Sequence, residues 1–104
     1  MQSSNGLGQA AVDHVIDIGV AGIFSHIGAN HSTVISRVEK YCEWDFGLAE
    51  NIVFNESDAV ETVVSLIVDD GNIDRTQREN LFNKNFKYFG LAAGDHFSES
   101  NNCV

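Results

Sequence analysis

The chain has 104 residues, with 15 acids against 6 lysines and arginines, a formal net charge of −9, two cysteines and no proline. That length suits one domain with a modest core, and two cysteines are too few for a disulfide framework, so reduced thiols in a cytosol are expected. No apolar run reaches the roughly eighteen residues of a membrane span, and the start, MQSSNGLGQAAVDH, lacks the basic region of a secretory signal.

Seven Phe and many Val and Ile argue against disorder. The missing proline removes a common helix breaker and favours a helical fold. Residues 1–7 are small and polar and are expected to be loose. From about Gly8 to Ile27, the apolar residues Val12, Val15, Ile16, Val20, Ile23, Phe24 and Ile27 recur at helical spacing. Gly19 and Gly22 inside that run suggest a kink or a close crossing. The loop Gly28–His31 leads to Ser32 as an N-cap. A second helix follows, with Val34, Ile35, Val38, Tyr41 and Cys42 on one side and Arg37 and Lys40 on the other. It should stop near Trp44, before Gly47.

Leu48–Phe54 is compatible with a short helix or a short strand. Asn55-Glu56-Ser57 offers a helix start, with Glu56, Asp58 and Glu61 where the dipole favours acids. Val60, Val63, Val64, Ile67 and Val68 supply that helix's apolar stripe. The β-branched run also suits a strand, but the spacing and the acidic first turn favour helix. Asp69–Asn72 reads as a turn. Thr76 and Glu79 have the spacing of a capping box, and Leu81, Phe82, Phe86 and Phe89 continue a helix to a stop at Gly90. The short segment LAAGDHF and a polar tail close the chain. The expected fold is all-α, a compact bundle of four to five helices with short loops, as one domain over 1–104 whose first seven residues and about 97–104 are flexible.

Charge is concentrated mid-chain. Ten of the fifteen acids lie from Glu39 to Asp74 with one base, Lys40, among them, so this stretch alone carries −9. Such a field attracts metal ions or basic proteins and repels nucleic acid. The cations Arg75, Arg78, Lys84 and Lys87 read as a solvated helix face beside those acids. His14 between Asp13 and Asp17, and the pair His26 and His31, miss zinc spacings. A calcium loop centred on Gly71 fails because its ligand positions fall on Leu66, Val68 and Gln77. Cys42 falls on an apolar face, and the chain has no GxSxG elbow and no Gly-rich phosphate loop. The chain is therefore expected to be neither an enzyme nor a cofactor binder.

Asp70-Gly71-Asn72-Ile73-Asp74, opening a helix, resembles the Asp-Gly corner of the tellurite-resistance B-like helical domains. That resemblance implies cation binding at Asp70 and Asp74. Gln77 stands where that family usually has Glu, and the corner has no second copy here. Tyr41–Phe46 interleaves three aromatics with Glu43 and Asp45 at a helix end, a composition suited to a protein interface. Over the whole chain, small size, acidity and missing catalytic motifs resemble bacterial immunity proteins. That resemblance implies a cytoplasmic antitoxin for a basic nuclease toxin. The expected contact set is Glu43, Asp45, Glu50, Glu56, Asp58 and Glu61, with Trp44 as anchor.

Overall fold

Hydrogen bonding at the start of the chain sets the first element. The computed structural model describes residues 1–44, 47–54, 58–70 and 73–96, together with the backbone of 102–103. Gln2–Ser3 (β1) pairs in parallel with Tyr88–Phe89 (β2), with Gln2 opposite Tyr88 and Ser3 opposite Phe89. The amides of Gln2 and Ser4 donate to the carbonyls of Lys87 and Phe89, each at 2.8 Å. The expected loose lead is thus a strand followed by a cap. Ser4 Oγ accepts from the Leu7 amide, and helix α1 runs over Asn5–Ala21.

Helix α1 ends earlier than the apolar spacing predicts. Gly22 adopts φ 70°, the left-handed conformation that glycine enters most cheaply, and its amide bonds to the Ile18 carbonyl. Ile23, Phe24 and Ile27 therefore lie in the following loop. Ile23 folds back on the core pair Val15 and Ile18, which Ile52, Phe54 and Ala92 also cover. Phe24 instead joins Phe54 and His96 in an aromatic trio, with centroid separations of 4.7, 4.6 and 5.1 Å. Gly19 is a close crossing: a Cβ there would collide with the Asp95 carbonyl. This brings Gly94–Asp95 (β3), which pairs antiparallel with Asn102–Cys103 (β4), against α1.

Helix α2, Val34–Glu39, starts one residue later than predicted. Thr33 is the cap, and Ser36 completes a reciprocal box with it at 2.8 and 3.1 Å. It also ends well before Trp44, because the amides of Tyr41 and Cys42 both turn back onto the Val38 carbonyl. Residues 48–54 form neither a helix nor a full strand. Gln77 holds them instead: its Oε1 accepts from the Ile52 amide and its carbonyl from Asn51 Nδ2, both at 2.9 Å.

The ambiguous β-branched run is helical. Helix α3 spans Ala59–Val68 with Asp58 as its N-cap. The preceding Asn55–Ser57, where the sequence places the start, lies outside the described residues. Helix α4, Thr76–Phe82, lacks the predicted capping box: Arg75 holds the cap position in the left-handed region with no side-chain cap bond. It stops at Phe82 and does not reach Phe89. The Asn83 side chain accepts from the Asn85 amide at 2.9 Å, an Asx turn that competes with helix. Helix is the main regular structure, with four helices and two short two-stranded ladders among the described residues. The Cα radius of gyration is 13.2 Å, against roughly 13 Å for a compact chain of this length. No helix among the described residues is long and apolar enough to cross a membrane. The free thiol of Cys42 is half-buried, 3.6 Å from the Val38 carbonyl.

Candidate functional site

Glu50 sits in the interior polar network. The α1–α2 loop and residues 48–54 bring it to Arg37, which is 3% exposed although the sequence places it with Lys40 on an outer face. Burying a guanidinium is costly unless every donor finds an acceptor. Arg37 Nη2 donates to Glu50 Oε2 at 2.7 Å and to the His26 carbonyl at 3.2 Å, while Nη1 reaches Ser32. His26 Nδ1 donates to Glu50 Oε1 at 2.7 Å. Buried His14 donates from Nε2 to the Ser25 carbonyl at 2.8 Å and lies 3.8 Å from Glu50. Glu50, expected at a partner interface, thus holds three segments of the scaffold together.

The other expected contact acids lie differently. Glu43 is exposed just beyond α2, beside Trp44, which is 38% exposed and donates from Nε1 to Glu39 at 3.4 Å. Asp58 is exposed and caps α3 by accepting from the Glu61 amide, and Glu61 is exposed in the first turn. Asp45 and Glu56 lie outside the described residues. Among the described residues, none of Glu43, Asp58 and Glu61 enters a salt bridge; the ion pairs converge on Glu50. Among the described residues, Arg75 and Arg78 form no ion pair with those acids. Arg75 donates to the Asp69 carbonyl, and Arg78 to the carbonyls of Ile67 and Val68, which end α3.

At the Asp-Gly corner, Asp70 and Asp74 are exposed, and the organising acid is their neighbour Asp69. It is 4% exposed and left-handed at φ 49°. Its Oδ2 accepts from the Gln77 amide at 2.9 Å and the Arg78 amide at 3.3 Å. It closes α3 and caps α4 together. Gly71 and Asn72 lie outside the described residues. Among the described residues, no three of His, Cys, Asp and Glu gather closely enough to hold a metal ion.

Helix α3 exposes a continuous row of apolar side chains. At about 100° per residue, Val63, Ile67, Val60, Val64 and Val68 form one stripe about 140° wide. The sequence presents that stripe as a core face, yet it points to solvent: Val60 is 68% exposed and Val64 50%, while the helix's one buried residue is Thr62. On the opposite side Thr62 is buried and Ser65 and Leu66 are half-buried, and α4 is the helix that α3 contacts. Glu61 borders the stripe.

The sequence reading missed Arg37, His14, His96 and Asp69. Ala10, His14 and Ile18 are four residues apart on one face of α1, which was the available signal for His14. Nothing local marks Arg37 or Asp69, whose partners are distant in sequence or backbone amides. Comparison with known proteins gave no match to a family model, to a curated protein or to a solved structure.

Proposed function

We propose that this chain is an immunity protein: a cytoplasmic, non-catalytic antitoxin that binds a basic nuclease toxin and covers its active site. The scaffold is read as a small all-α bundle, with the two-residue strands acting as clips. One observation carries the reading. Glu43, Asp58 and Glu61 stay exposed and without ionic partners among the described residues, while Arg37, Arg75 and Arg78 are committed to Glu50 and to backbone carbonyls. These three carboxylates are therefore open to direct pairing with a cationic partner. A nuclease site is cationic because it holds phosphate, so a carboxylate surface competes with nucleic acid there and speeds encounter. Trp44 beside Glu43 supplies an aromatic anchor. Glu50 acts on the scaffold side, holding the loop that precedes α2.

The test uses the basic product of the neighbouring reading frame. Its cleavage of nucleic acid should stop at an equimolar amount of this chain. Association should slow by about tenfold or more on raising salt, and by a similar factor in the double variant Glu43→Lys, Glu61→Lys. Undiminished cleavage in the presence of this chain would sink the reading.

A further inference from the structure

We propose that the outward stripe of α3 seats a helical segment of the partner whose one face is apolar and whose flanks carry Lys or Arg. This rests on the reading above that the partner is basic.

Five β-branched residues on a single helix face are exposed, from 38% at Ile67 to 68% at Val60. An amphipathic helix normally turns that face to the core. Here the core side is taken by Thr62, with Ser65 and Leu66 half-buried and Asp69 closing the helix end. Asp69 also explains why α3 cannot roll over. Its carboxylate is bound to the first amides of α4, and Arg78 grips the carbonyls of Ile67 and Val68. The stripe is therefore held outward, as a preformed apolar seat about two and a half turns long.

Charge selects the occupant. Glu61 borders the stripe and Asp58 caps the N-terminus of the helix; both are exposed and without a salt bridge among the described residues. A second copy would bring another −9 to the same place. The side chains of Arg75 and Arg78 are held at the carbonyls that end α3, away from Asp58 and Glu61 at its start. A cationic amphipathic segment meets both demands, because its apolar face covers the valines while its bases pair with Glu61 at the stripe's edge and with Asp58 at the helix start.

The experiment uses two labelled peptides of about 18 residues, both composed of Leu and Lys. In one, the leucines fall on a single helix face; in the other, the same residues are scrambled so that they do not. Fluorescence anisotropy should show the amphipathic peptide binding roughly tenfold more tightly. That advantage should vanish in the double variant Val64→Ser, Ile67→Ser. It should persist in Val20→Ser, a still more exposed apolar position on α1. Asp58→Asn with Glu61→Gln, which keeps a capping side chain, should weaken both peptides. Circular dichroism of every variant should match the parent, since the altered side chains are exposed. Equal binding of the two peptides, or a preference that survives the stripe variant, overturns the seat but leaves the acidic-surface reading standing. Absence of salt-dependent binding by either peptide overturns both. A dimer in sedimentation that the stripe variant abolishes makes a second copy the occupant and overturns the proposal.

Discussion

Tyr41 shows how one exposed contact can carry a measurable pH signature. Its hydroxyl donates to Asp13 Oδ2 at 2.6 Å. That hydrogen bond, then desolvation, then the Asp13 charge, raise its pKa above the ordinary 10.0. A raised folded-state value means that the contact contributes stability fully below the unfolded-state pKa and loses it as pH rises through the folded one. In a Tyr88→Phe background, phenolate absorbance should titrate above 10, and Asp13→Asn should bring the midpoint down towards that value. The alkaline loss of thermal stability should shrink in Tyr41→Phe. Buried charge behaves differently. Glu50→Ala leaves Arg37 interior and without its carboxylate, at an expected cost of about 3 kcal/mol in urea unfolding. Glu43→Ala, at an exposed position with no salt bridge among the described residues, should stay within about 0.5 kcal/mol. Equal effects would mean that Glu50 holds no special place in the scaffold.

Helices in this chain are shorter than their apolar periodicity because local competitors end them. Gly22 ends α1, a double return to the Val38 carbonyl ends α2, and an Asn83 turn ends α4. Ile23 and Phe24 still reach the core region, but from a loop. Gly19 ties α1 to β3: a Gly19→Ala variant must displace the Asp95 carbonyl and should lose about 1–3 kcal/mol of stability, read by thermal melting, despite alanine's better helix propensity. Helix α3 inverts the usual arrangement. Its type was legible in the spacing of Val60, Val63, Val64 and Ile67, yet its orientation was not. Period alone says that one face is apolar; it does not say what that face meets. The anchors that turn it outward, Asp69 and Arg78, act through backbone amides and carbonyls, which leave no trace in hydrophobic patterning.

The whole molecule couples a small core to a large charge. Val15 and Ile18 form the buried apolar cluster, and much of the remaining cohesion is polar, through Arg37, Glu50, His14, Gln77 and Asp69. The candidate site divides along the same line. The chain order alone put Glu43, Asp58 and Glu61 in an acidic stretch and Asp58 at a helix start, because charge and capping depend on near neighbours. Glu50 carries the same charge in the same stretch, but only the fold made it an interior ion-pair partner. Composition and short-range spacing determined the net field, the helical character and the position of α3. Tertiary contacts decided which acids face solvent, where each helix stops and which way α3 turns. Those outcomes depend on pairs such as Arg37 with Glu50, 13 residues apart, or Gln77 with Ile52, 25 apart, whose meeting no local pattern encodes.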